Sequence, residues 1–143
     1  MSFNCGGLNT AKEQLKILLQ DLPNEKMPIV ILIQETKLSE EEMLTMKVPD
    51  YRPITATKTK KSISKISGKE TIYGGSMVLV NNKISAEILT LQHKIESNVE
   101  IIGIEIRGDD QGDYTKPSEI WSVYCPPYEA NWREMKKILE NFT

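Results

Sequence analysis

The longest uninterrupted apolar stretch of the chain is Ile29-Val30-Ile31-Leu32-Ile33, set between Pro28 and the polar pair Gln34-Glu35. A short run of mostly β-branched residues predicts a strand covered on both faces, and it is too short for a membrane span. Such a strand delivers Glu35 to the rim of a sheet, where open α/β folds bind their ligands. A carboxylate there is also read as the first solvated residue of a loop. Upstream, Leu15, Leu18, Leu19 and Leu22 recur with helical spacing. The Thr10-to-Glu13 spacing predicts a capping box at the start of that helix, and Pro23-Asn24 predicts its end. Before it, Asn4-Cys5-Gly6-Gly7-Leu8 reads as a tight glycine-rich bend.

Downstream, Ser39 and Glu42 have capping-box spacing and predict a short helix that stops before Pro49. Glu40, Glu41 and Glu42 suit its positive end, which is a stronger reading of three acids than a metal cluster. Residues 51–69 have the least periodic pattern and read as a loop. Lys58, Lys60, Lys61, Lys65 and Lys69 lie in it with no acid among them, fitting either a solvated loop or a surface that follows a phosphate backbone. After Gly74-Gly75, residues 76–80 predict a strand that turns at Asn81-Asn82 into residues 84–91 as its antiparallel partner. Residues 99–106 and 120–125 predict two more strands, joined by a polar stretch over 108–117. The second runs into Pro126-Pro127, so Tyr124 falls at a strand end. A last helix over 130–142 places Trp132, Met135, Ile138, Leu139 and Phe142 on a predicted core stripe. This order predicts one domain of mixed α/β class, an antiparallel-rich sheet with helices packed on it.

Composition narrows the function classes. A chain of 143 residues with 39% hydrophobic and 27% charged content suits a single globular domain. The net charge of −2 excludes a uniformly basic nucleic-acid coat but leaves room for a local basic surface. The amino terminus lacks a basic-then-apolar leader and no apolar run reaches spanning length, so an intracellular location off the membrane is expected. Cys5 and Cys125 do not make a disulfide framework and are expected to be reduced. The lone His93 leaves no Cys/His zinc site and no Ser-His-Asp triad without it. The Walker and dinucleotide glycine patterns are absent.

Four short motifs occur in order: Asn4-Cys5-Gly6-Gly7-Leu8, Gln34-Glu35-Thr36, Gly74-Gly75-Ser76 and Tyr124-Cys125-Pro126-Pro127. With them the chain resembles the endonuclease/exonuclease/phosphatase superfamily, and most closely the apurinic-type endonuclease domain of non-LTR retrotransposons. The resemblance implies a four-layered α/β sandwich, of which residues 1–143 would supply the N-terminal half: a mixed, largely antiparallel sheet with flanking helices. It implies that Glu35 is a metal ligand, that Asn4 shares the metal and phosphate site, and that Tyr124 is the active-site tyrosine. It further implies Mg²⁺ or Mn²⁺ as cofactor, DNA as partner, phosphodiester hydrolysis as the reaction, and a nuclear place of action. Lys58, Lys60 and Lys61 are the expected nucleic-acid contacts.

The departures are as specific as the matches. Gly6 stands where the family has a second Asn or Asp, and Phe3 stands where it commonly has Trp. The later Gly-Asp-x-Asn and Ser-Asp-His motifs are absent, and His93 precedes the tyrosine motif. The expectation is therefore a truncated retrotransposon-type endonuclease domain, inactive as this chain alone. The alternatives are a non-catalytic fragment that binds nucleic acid or protein, and a phosphatase branch of the same superfamily. Half a sandwich would leave the apolar face of its first sheet open, which implies self-association or a companion chain.

Overall fold

The computed structural model describes residues 1–55, 60–91, 95–107 and 117–141. Among these, β1 (Ser2–Asn4), β2 (Val30–Gln34), β6 (Met77–Asn81) and β3 (Tyr51–Ile54) form one sheet in the order β1-β2-β6-β3. β1 runs parallel to β2, and the other pairs are antiparallel. A second, antiparallel sheet has the order β7-β8-β9, with β7 at Ser85–Leu89, β8 at Glu100–Arg107 and β9 at Ser118–Tyr124. β4 (Lys60–Ile63) and β5 (Glu70–Tyr73) pair only with each other, as a two-stranded ribbon. The α-helices are α1 (Leu8–Gln20), α2 (Glu40–Thr45) and α3 (Glu129–Glu140). The class is mixed α/β.

The side-chain alternation of β2 decides the packing. Ile31 and Ile33 join Met77 and Leu79 in a core with Leu8, Leu15 and Leu19 of α1 and Met43 of α2. Val30, on the opposite face, packs with Val78, Val80, Ile102 and Ile104, and Leu32 lies against the same group. The apolar run is thus buried from both sides, as its composition predicts. Burying each such side chain contributes about 1.5–3 kcal/mol. On the outer face of the second sheet, Val99 and Ile101 pack with Met135 and Ile138 of α3. Among the described residues, Ile102 and Ile104 of the second sheet pack on the face of the first sheet that was expected to lie open.

Several expectations need correction. α1 begins at Leu8 rather than Thr10, and its N-cap Gly7 has no side-chain cap. Thr10 donates its hydroxyl to the Gly7 carbonyl at 2.8 Å, so it does not close a capping box. Leu18, expected inside, is exposed, while Leu8 is fully buried. Residues 51–69 are not simply a loop, since they contain β3 and β4. Pro53 is tolerated because β3 pairs on one side only, with β6.

The expected hairpin partner of β6 is also different. Both edges of β6 are taken, by β2 and β3, so β7 crosses to the second sheet and pairs with β8. Arg52 staples that crossing, donating to the carbonyls of Asn81 at 3.1 Å and Ile84 at 2.6 Å. In α3 the buried stripe is Asn131, Met135 and Ile138, whereas Trp132 and Leu139 are exposed. Asn131 takes the inward position because its amide is used there: Oδ1 accepts the Asn98 N–H at 3.1 Å and Nδ2 donates to Pro126 O at 3.0 Å. His93, Lys58, Phe142 and most of the predicted 108–117 stretch lie outside the described residues.

Candidate active site

Glu35 follows the last residue of β2, and its backbone takes an unusual path. Its φ of 56° and the φ of 54° at Lys37 are left-handed, a region non-glycine residues seldom occupy. Such strain costs on the order of 1–3 kcal/mol and persists where surrounding structure dictates it. Here the neighbours are explicit. Thr36 N–H donates to Gly75 O at 2.9 Å, Lys37 N–H to Gly74 O at 2.8 Å, and Leu8 N–H to Thr36 O at 2.8 Å. Gly74 and Gly75 have φ of 71° and 89°. A side chain on Gly74 would collide with the Glu100 carboxylate, and one on Gly75 with the Thr36 hydroxyl.

Glu100 holds this glycine pair from the second sheet. Its buried carboxylate accepts the Gly75 N–H at 2.9 Å and the Ser76 hydroxyl at 2.5 Å. Gln34 makes a second bridge between sheets, donating from Nε2 to Val123 O at 3.0 Å. These contacts bring the ends of β2 and β9 together. Tyr124 Oη then donates to Glu35 Oε1 at 2.7 Å, across 89 positions of sequence.

Asn4, at the end of β1, completes the group. Its Oδ1 accepts the Gly6 N–H at 3.1 Å, within the predicted glycine-rich bend. The Asn4 side chain lies close enough to Glu35 to lower its carboxyl. The Tyr124 phenol first, the Asn4 side chain second and the Lys37 charge last hold the Glu35 carboxyl below the usual glutamate range, against a small opposing effect of burial. Burial, followed by the hydrogen bond and the charge of Glu35, pushes the Tyr124 phenol well above the usual tyrosine range. At neutral pH the pair is therefore an ionised carboxylate and a protonated phenol. The phenol donates hydrogen bonds and does not serve as a base.

Glu35 and Tyr124 open on a cavity of about 620 Å³ whose walls include Lys37, Lys60, Lys61, Tyr73 and Tyr128. Of the predicted residues, Asn4, Glu35 and Tyr124 meet at one place. Lys60 and Lys61 lie on β4 at the cavity wall, and Lys61 Nζ is paired with Glu70 at 2.8 Å. The contributions of Glu100 and Gln34 went unread in the sequence, although a signal exists for Glu100. It shares the strand phase of Ile102 and Ile104, which face the core, and a carboxylate on an apolar face requires partners.

Both cysteines are free. Burial raises the Cys5 thiol, which donates to the carbonyls of Gln34 at 3.3 Å and Glu35 at 3.4 Å. No described helix is long and apolar enough to cross a membrane. No protein-family model matches the chain, and no curated protein matches it.

Proposed function

We propose that the chain is the N-terminal part of a retrotransposon-type endonuclease domain, a four-layered sandwich to which it contributes strands of both sheets and the helices outside them, and is related to divalent-cation-dependent phosphodiester hydrolysis. The observation that carries this reading is the 2.7 Å hydrogen bond from Tyr124 to Glu35 with Asn4 beside it. Two residues singled out by motif, Glu35 and Tyr124, line one cavity with a third, Asn4, close to Glu35, and an ionised carboxylate beside a protonated phenol suits the chemistry.

The donor set fits a hard cation. Described residues contain no cluster of three or more His, Cys, Asp or Glu. Mg²⁺ nevertheless is often held by one or two carboxylates, with waters and substrate phosphate filling its remaining positions. Glu35, ionised and strand-anchored, and the side-chain oxygen of Asn4 would hold Mg²⁺ or Mn²⁺ here. The cation supplies Lewis-acid polarisation of a phosphoryl oxygen when bound. Tyr124 has one O–H, which Glu35 accepts here at 2.7 Å and which orients that carboxylate; turned to a phosphate oxygen instead, it would stabilise the charge building there. Glu100, through Gly74-Gly75, fixes the loop that presents Glu35.

The sequence has no Gly-Asp-x-Asn or Ser-Asp-His motif, so these residues carry only part of the catalytic set, and groups that act as a unit lose most of their rate when members are missing. The test is nicking of supercoiled plasmid. In Mg²⁺ alone the wild-type chain is expected to stay at background. Imidazole titrates near neutral pH and can act as base and acid. Adding it is expected to raise nicking by the wild type and not by Glu35→Ala. Equal background nicking by both at every imidazole concentration contradicts the reading. The alternative of a non-catalytic nucleic-acid-binding fragment is favoured by one observation, the exposed lysines of the β4–β5 ribbon.

A further inference from the structure

The two packed sheets end in four strands, β1 and β3 in the first and β7 and β9 in the second. A bare edge strand pairs readily with other chains, and soluble proteins blunt it with short strands, proline, bulges or lysine. β1 has three residues, β3 has four with Pro53 among them, and β7 has five. β9 has none of these devices. Its seven residues, Ser118–Tyr124, pair with β8 in unbroken register and include no proline, no lysine and a single charge, Glu119. Among the described residues no strand pairs with its outer side.

The space beside that edge is covered on one side by the first sheet. Gln34 of β2 donates from Nε2 to Val123 O at 3.0 Å and stands 3.5 Å from Ser122 Oγ, so β2 lies over β9. β1 is the next strand out and therefore projects beyond β9. Its register sets Ser2 beside Leu32 and Asn4 beside Gln34, and residues in register share a face. Leu32 packs against the second sheet, yet Ser2 and Asn4 on that face are exposed. α3 bounds the space from the other side. It packs on the outer face of β8 and β9 through Met135 and Ile138. Its Glu134 accepts the N–H groups of Glu96 at 2.7 Å and Ser97 at 2.8 Å, on the flank toward the β7–β8 connection. Helical spacing puts Trp132 and Leu139 on the opposite flank, toward the β9 edge, where both are exposed and line a mostly apolar hollow of about 340 Å³.

We propose that the slot between β1 and α3 binds one extended strand of another polypeptide, which pairs with the outer side of β9 and adds a fourth strand to the second sheet. Strands in both sheets are about 4.8 Å apart, so one added strand comes to lie under β1. In this mode of recognition the main chain supplies affinity and alternate side chains supply specificity. Alternation also sets the chemistry of the partner. Its side chains on one face meet Ser2 and Asn4 and are small or polar, and those on the other meet Trp132 and Leu139 and are apolar. A second copy of this chain does not fit the slot. Pairing β9 with its twofold mate would put β1 of each chain where β2 of the other already lies. Binding through the backbone of β9 needs no metal at Glu35, so it is independent of the phosphodiester chemistry.

The test titrates the whole chain, without metal, into a labelled peptide of alternating valine and serine, matched to the seven residues of β9 and carrying a lysine at each end. Fluorescence anisotropy is expected to show saturable binding. N-methylation of the peptide amides along one of its edges is expected to abolish binding, and along the other edge to leave it intact. Hydrogen exchange of the backbone amides of residues 118–124 is expected to slow when the peptide is bound. Trp132→Ala, a change at an exposed position, is expected to weaken binding several-fold with the urea midpoint unchanged. Absence of saturable binding overturns the proposal, as does binding that survives N-methylation of either edge or leaves exchange in residues 118–124 unaltered. Dimerisation of the chain that the peptide reverses overturns it too, because the occupant is then a second copy. Loss of peptide binding alongside Mn²⁺ binding that needs Glu35 sinks the strand proposal and leaves the site reading standing, and the opposite pattern sinks the site reading alone.

Discussion

Tyr124 and Glu35 each alter the other's proton affinity, and the consequences are measurable. In a spectrophotometric titration Tyr124 is expected to be the last tyrosine to ionise. Glu35→Gln is expected to bring that transition down by removing the adjacent negative charge. The phenol's folded-state pKa lies above its unfolded value, so its contribution to stability is complete below about pH 10 and is lost as pH rises through the folded value. Glu35 has the opposite sign. Its carboxyl is depressed below 4.5, so its contribution is present above that pH and is lost as pH falls through the folded value. Urea midpoints followed against pH should show both limbs in the wild type, and Tyr124→Phe should shrink both, the remaining alkaline limb coming from Tyr51 and the cysteines, whose burial also raises them. At Glu100, replacement by Ala removes the buried acceptor of the Gly75 N–H and is expected to cost about 1–3 kcal/mol. Asn4, Glu35 and Tyr124 were legible because each stands in a short motif at a strand end. Glu100 was harder to read, because its role emerges only once strand phase is combined with the partner that the other sheet supplies.

Among the elements, the two predicted capping boxes make a matched pair of tests. Around Ser39 both reciprocal bonds exist: the Glu42 N–H donates to Ser39 Oγ at 3.2 Å and the Ser39 N–H to Glu42 Oε2 at 2.7 Å. Ser39→Ala is expected to cost about 1 kcal/mol in chemical denaturation. Thr10→Ala should cost only a few tenths, because Thr10 lies within α1 and caps nothing, although the two motifs look alike in sequence. Gly103 in β8 gives a third case, since a side chain there would collide with the ring of Trp121 on β9. Gly103→Ala is expected to displace that indole, costing about 1–3 kcal/mol and changing the near-ultraviolet circular dichroism. Periodicity located most of these elements but could not choose their partners. β7 and β6 have the pattern of a hairpin, and only the occupied edges of β6 exclude that pairing. Likewise Trp132 fits a core stripe by spacing, yet Asn131 takes the buried position because its amide ties α3 to residues 98 and 126.

In the molecule as a whole, two sheets share a core and meet at one end through Gln34, Glu100 and the Tyr124–Glu35 bond. The sequence predicted a first sheet open on one face, because the resemblance counted residues 1–143 as half a sandwich. Packing within the chain supplies the cover, through residues such as Ile102 and Ile104 whose destination periodicity alone does not reveal. The most direct measurement of the central claim is titration with Mn²⁺ at neutral pH, followed by loss of the free-ion electron paramagnetic resonance signal, on wild type and Glu35→Gln. Losing a group that merely orients a metal ligand costs about 10- to 100-fold in affinity, so loss of the ligand itself should cost at least as much, with the urea midpoint showing both proteins folded. One site in the wild type that is lost in Glu35→Gln is the expected result, and equal Mn²⁺ binding by the two proteins would contradict the account.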